Sequence, residues 1–248
     1  LLNCALQLKQ KGEEYRSLKL YGQEINAITS SIARMNMFMH GIEEFDIIKD
    51  DTLTDPVFIE NDELKKFNVI LANPPYSIKK WDQKSFENDP YGRNIWGTPP
   101  KGCADYAFQQ HIHKSLDLQN GRCAILWPHG ILFRDKEIEL RKKMVLSDTV
   151  EAVIGLGENL FYNSSMESMV LVCNNNKTES RKKKVLFIDA KNEVKVDKGI
   201  AYLKEEHIQK IYNTYKEYSE VAGFSKIVDT DLIMSKNGSL KINFYVKE

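Results

Sequence analysis

Asn73, Pro74, Pro75 and Tyr76 follow directly on an apolar run, FNVILA, at 67–72. A residue ahead of proline is driven to extended backbone, so Asn73 leaves that run in a fixed direction. The two prolines fix φ and carry no N–H. What remains is an amide oxygen and a proline carbonyl, a rigid acceptor pair, with an aromatic ring beside it. Such a pair suits an –NH2 group on a planar ring. The lone pair of such an amine is delocalised, which makes it a poor nucleophile. Two acceptors out of the ring plane favour a pyramidal nitrogen and stabilise the charge that grows on it. Tyr76 adds a face for stacking, worth about 1–3 kcal/mol per base in nucleic-acid systems. The plain alternative is a strand-ending turn with a half-buried tyrosine; the apolar run before and the ring after favour the chemical one.

The elements that must position this turn alternate between helix and strand. Helical periodicity is expected over 1–11, 25–40, 104–116, 135–146 and 204–219, and strands over 18–22, 46–48, 67–72, 122–127, 150–154, 169–173 and 185–188. The stripe Ile28, Ile32, Met35, Met39 is expected to face a core. The alternation implies an α/β fold, a mostly parallel sheet covered by helices on both faces. Ligands of open sheets of this kind sit beyond the carboxyl ends of the strands. There the sequence places Glu24, Asp50-Asp51 and Asn73. A carboxylate after the second strand commonly accepts from both ribose hydroxyls, although a single acid at a strand end is a weak signal. The turn-rich stretch 77–102 is expected to be a lid or binding loop, and the tail from Phe224 shows little periodicity.

The chain has 248 residues, with Lys+Arg and Asp+Glu equal at 35 each. With no global positive field, a nucleic-acid partner would need local patches or another subunit to supply phosphate attraction. Cys4, Cys103, Cys123 and Cys173 form no CxxC pair, which argues against a zinc ribbon or a disulfide scaffold. No apolar run approaches the roughly 18 residues of a membrane span, and a cytoplasmic location without membrane partners is expected. The sequence opens LLNCALQL, without Met and already in helical periodicity, as though its true start were missing.

The stretches LYGQEINAITSSIARMNMFMHGI, DDTL, FNVILANPPY, ADYAFQQHI, GRCAILWPHGILFR, EAVIGLGENLFY and VLFIDA, together with the tail SKNGSLKINFYV, resemble the modification (M) subunit of type I restriction-modification systems. These are N6-adenine DNA methyltransferases of the NPPY type. The resemblance implies a Rossmann-like fold dependent on S-adenosylmethionine, with DNA and the specificity (S) and restriction (R) subunits as partners, and no metal. It implies that Glu24 binds the cofactor ribose and Asp51 its adenine, with Thr52 and Leu53 nearby. Asp105 and Phe108 would line the cofactor pocket. Asn73, Pro74, Pro75 and Tyr76 would hold a flipped adenine, with Phe161 as a second wall. It further implies a catalytic domain over 1–195, N-terminally incomplete, and a helix and tail over 196–248.

There are departures. The family's Gly-rich cofactor loop, of the DPACGSGG type, is absent, so the first strand and this loop would lie just ahead of Leu1. Asn68 stands for a usual Asp and Asp50 for Gly, while Gly157-Glu158 replaces Pro-Pro and Asn163-Ser164-Ser165 replaces a Gly-Thr turn. Rival functions are methylation of another planar amine (an RNA base or a protein glutamine) and an inactive assembly scaffold. His111 and His113, two residues apart, are expected to be structural rather than metal ligands, since helical ligand pairs favour i, i+4 spacing. His129 is expected to belong to a turn, and Lys79-Lys80-Trp81 either to touch nucleic acid or to be a solvated loop.

Overall fold

The computed structural model describes residues 1–161 and 166–247; the Asn163-Ser164-Ser165 turn lies outside them. The chain divides into two compact units, Leu1–Lys65 and Lys66–Glu248. The segment 196–248 supplies a strand to the sheet of the second unit.

The first unit contains α1 (Leu2–Gln10), β1 (Leu20–Glu24), α2 (Ala27–Met39), β2 (Phe45–Lys49) and a small hairpin, β3 (Ile59–Glu60) with β4 (Glu63–Leu64). β1 and β2 pair in parallel, Leu20 opposite Phe45 and Glu24 opposite Lys49. Asn26 caps α2, its side chain accepting from the N–H groups of Ile28 and Thr29 at 2.9 and 3.0 Å. Gly41, at φ +69°, ends the helix. There the Ile42 N–H bonds to Met37 O and the Gly41 N–H to Phe38 O, the paired bonds of a left-handed C-terminal cap. The core of this unit gathers Ala5, Leu20, Met37, Ile42 and Ile47. The expected stripe of α2 is not in it: Ile28 is 72% and Met39 75% exposed, with Ile32 and Met35 also outside. The buried face is Ser30, Ala33 and Met37, also at helical spacing but smaller, which lets the helix lie close to its neighbours.

In the second unit, β5 (Val69–Ala72), β6 (Arg122–Pro128), β7 (Val150–Leu156), β8 (Ser168–Asn174), β9 (Lys184–Ala190) and, beyond the small hairpin β10 (Lys195–Asp197) with β11 (Ile200–Tyr202), β12 (Ser225–Asp229) build one six-stranded sheet. Its order is β12-β9-β7-β8-β6-β5. The sheet is mixed. β5 with β6 and β7 with β9 are parallel, but β8 runs antiparallel between β6 and β7, and β12 antiparallel to β9. β5 is an outer strand of this sheet, with Val69 and Leu71 half exposed, rather than a buried one.

Successive side chains alternate between faces, and both faces are covered. Val185 and Phe187 of β9 enter a cluster with Trp127, Tyr106, Leu116 and Met144, against α4 (Asp105–Ser115) and α5 (Ile138–Leu146). Leu186, Ile188 and Ala190 enter a second cluster with Ile211 and Tyr215 of α6 (Glu205–Glu217). The stretch 77–102 includes a five-residue helix, α3 (Gln83–Glu87), and is packed down rather than free. Arg93 and Trp96 are buried, Arg93 paired with Asp89, and the Trp96 N–H donates to Gln110 Oε1 at 2.6 Å. The tail holds β12 and α7 (Thr230–Ser235), both too short to show as periodicity.

Candidate active site at the carboxyl edge of the sheet

The ends of β5 and β6 and the start of antiparallel β8 meet at one edge. Asn73 follows Ala72, His129 follows Pro128, and Pro128 is paired with Ser168. Asn73, Pro74, Pro75, Tyr76, Phe161, Met166, Glu167 and Ser168 line a cavity of about 340 Å³ there. The four residues of the turn and Phe161 are thus brought together. Met166, Glu167 and Ser168 were not legible as site residues, because only the register of β8 against β6 carries them to this edge.

Asn73 is exposed, Pro74 buried and Tyr76 half-buried. The Tyr76 hydroxyl donates to Asn73 Oδ1 at 2.9 Å, and its ring centroid lies 6.4 Å from that of the buried Trp127. Burial pushes the Tyr76 phenol above its ordinary value. Trp127 is itself fixed, its indole N–H donating to Gln109 Oε1 at 2.7 Å.

Ser77 closes the turn at φ +49°, a region unfavourable to residues with a side chain. Its N–H donates to Asp105 Oδ1 at 2.6 Å. Asp105 is wholly buried at the start of α4, and its other oxygen accepts from Arg134. Its carboxylate is thus engaged in holding the turn. Arg134 also donates to Cys103 Sγ, and the Cys103 thiol donates to Glu137 Oε1 at 3.1 Å. Burial, reinforced by Glu137, pushes Cys103 up to about 12, so this thiol is no nucleophile. Cys103, Asp105 and Glu137 cluster as metal ligands could, but Arg134 already supplies their positive charge. Phe108 packs against the main core cluster.

Among the histidines, His113 lies between Gln109 and Thr149, with Nε2 3.0 Å from Thr149 Oγ1, and burial lowers it to about 4. His111 is lowered to about 3 by burial and by the Arg93 guanidinium 3.3 Å away. Both are structural. His129 differs. Its Nε2 is 3.1 Å from Ser168 O, and its Nδ1 is 3.3 Å from Glu167 Oε2. Gly155 of β7 stands behind it: a Cβ there would lie 3.8 Å from His129 Cε1 and 2.6 Å from Ile242 Cδ1.

In the first unit, Glu24 ends β1 and accepts from the Asn26 N–H at 2.8 Å. Asp51 follows β2, and its Oδ1 accepts from the Leu53 N–H at 2.8 Å. The parallel register sets these two strand ends side by side, and Asp51, Thr52 and Leu53 are each partly exposed.

The model of the N-6 DNA Methylase family matches residues 1–248. The chain belongs to that family. It is 34% identical to the type I restriction enzyme MjaVII methylase subunit of Methanocaldococcus jannaschii, over 94% of this chain and 43% of that protein. Identity to the MpnII methylase subunit of Mycoplasma pneumoniae is 37%, over 96% of this chain and 45% of that protein. Among solved structures, the type I restriction-modification methyltransferase subunit from Streptococcus thermophilus superposes with a TM-score of 0.88 at 33% identity, covering 98% of this chain and 52% of that one. The fold is thus the Rossmann-like fold of the methyltransferases, and this family member spans about half the length of the relatives it matches.

Proposed function

We propose that the chain is the catalytic part of a DNA adenine methyltransferase. It would place a methyl group from S-adenosylmethionine on the N6 amine of an adenine turned out of the helix, working with separate S and R subunits. The observation that carries this is the exposed Asn73 amide, bonded by the Tyr76 hydroxyl, on a cavity that Pro74 and Tyr76 also line. A base must leave the stack before its amine can be reached, and a cavity walled by Tyr76 and Phe161 gives it a place to stack. Asn73 Oδ1 and the Pro74 carbonyl accept from the amine and favour the pyramidal form, and the Tyr76 hydroxyl orients that amide until the base arrives. A neutral chain, with 35 basic and 35 acidic residues, agrees with sequence reading by another subunit.

The first unit fits the cofactor. Glu24 retains a carboxylate oxygen for a ribose diol, and Asp51, beside it, offers a carboxylate to an adenine amine. When bound, the cofactor supplies a sulfonium-activated methyl group; orientation and electrostatics fall to the protein.

Asn73→Ala removes one arm of the acceptor pair. By comparison with single hydrogen-bond deletions in other transition states, transfer should fall about 10²–10³-fold, with cofactor affinity unchanged. Radiolabelled-methyl incorporation together with calorimetric cofactor titration tests this, and undiminished incorporation would refute the assignment of Asn73.

A further inference from the structure

Asn73, Pro74, Tyr76 and Phe161, the wall residues given roles so far, are neutral acceptors or rings. An amine that has gained a methyl group is a cation, and it must lose a proton before product can leave. An amide oxygen, a proline carbonyl and a phenol that already carries its proton are poor places for that proton. Glu167 is the carboxylate among the described residues of this wall. It stands just ahead of β8 with its side chain 46% exposed. One oxygen lies 3.3 Å from His129 Nδ1, an ion pair when the imidazole is protonated; among the described residues the other has no hydrogen-bond partner. His129 is in turn fixed through Nε2 to the Ser168 carbonyl at 3.1 Å, so the imidazole bridges the end of β6 and the start of β8.

We propose that Glu167 is a catalytic residue, the proton acceptor for the alkylated amine, and that His129 is its positioning residue. The N–H bond breaks with its electron pair remaining on nitrogen, and the proton passes to the free oxygen of Glu167 and then to solvent along the exposed side of the carboxylate. Before that, the same negative charge stabilises the cation as it forms. Among the described residues, the titratable groups near Glu167 are His129, 3.3 Å away, and Tyr76, on the same cavity wall. The inference rests on the proposed function and deepens it: the site takes an amine that leaves with one proton fewer.

The test uses the assembled methyltransferase and a duplex with 2-aminopurine at the target position, so that binding of the extruded base is read by fluorescence apart from chemistry. A second duplex, carrying adenine, gives the single-turnover rate across pH. Glu167→Gln should keep the fluorescence rise, lose about 10²-fold in rate, the usual contribution of a positioned acid or base, and lose the pH dependence that the wild type shows on its acidic limb. Glu167→Asp should restore part of both. A Glu167→Gln enzyme with wild-type rate and wild-type pH profile, fluorescence intact, overturns the role of Glu167 alone. Absence of a fluorescence rise in the wild type overturns the base-binding site and this inference with it.

Discussion

Two glutamates at opposite edges of one sheet have opposite surroundings. Glu151, at the start of β7, is 1% exposed and fully engaged. Its carboxylate accepts from Tyr215 at 2.6 Å, Arg181 at 3.2 Å and Asn174 at 3.3 Å. Tyr218 donates to its backbone carbonyl, and the Arg181 guanidinium lies 4.5 Å from the Tyr218 ring centroid. Glu167, at the carboxyl edge, has among the described residues one imidazole partner and an exposed side. A buried acid with every acceptor position satisfied ties α6 to the sheet. An acid with a vacant oxygen on a cavity wall is poised for a ligand. Residue type is the same in both; what differs is how many donors the fold supplies.

That contrast can be broken. Glu151→Ala strands Arg181 Nη1 and the Tyr215 hydroxyl, and unfolding free energy should fall by about 3 kcal/mol, the scale for removing one partner of a buried pair. Transfer rate per folded molecule should stay near wild type. Chemical denaturation paired with the radiolabel assay separates the two effects, and a rate loss beyond threefold would blur the distinction between the edges. Asp105→Asn sits between the cases, because this buried acid serves the site through Ser77. A stability loss of about 2 kcal/mol is expected together with a large fall in transfer, and normal transfer would show that the turn holds without its anchor.

Acid sharpens the comparison on the buried side. Burial lowers His113 from the ordinary 6.5 to about 4, so the unfolded chain takes up a proton that the folded chain resists. Its contribution to stability is complete above about pH 6.5 and is lost as pH falls toward 4. Melting temperature should fall over that window, and His113→Gln should flatten the slope. The smallest effect belongs to Tyr76→Phe. The stacking face remains and only the hydroxyl on Asn73 Oδ1 goes, so a few-fold loss of transfer is expected, of the order of one modest hydrogen bond.

Much of this was legible in sequence. The acceptor turn could be read because proline chemistry is local, and most long helices and strands because their periodicity is strong. The α/β class followed from their alternation, and the Rossmann-like fold from the family resemblance. What was missed depends on tertiary register. Glu167 is an unremarkable acid until β8 is seen running antiparallel against β6. The large apolar stripe of α2 looked like a core face, yet the smaller Ser30-Ala33-Met37 row won that place because it allows closer approach. Asp105 carries a helix-start signature, and nothing local shows that a backbone N–H 28 residues earlier claims it. The segments α3, β12 and α7 are simply too short for a period to emerge.

Gly155 gives this edge a dependence that spacing in the chain conceals. Because it has no side chain, Ile242 from the far end of the sequence can occupy the space beside the imidazole of His129. The turn at Ile242–Phe244 therefore acts as a wedge at the back of the proton-handling pair. Shortening Ile242 would leave a hole next to the ring, and adding a methyl at Gly155 would push the tail off; either change would reach Glu167 without touching it.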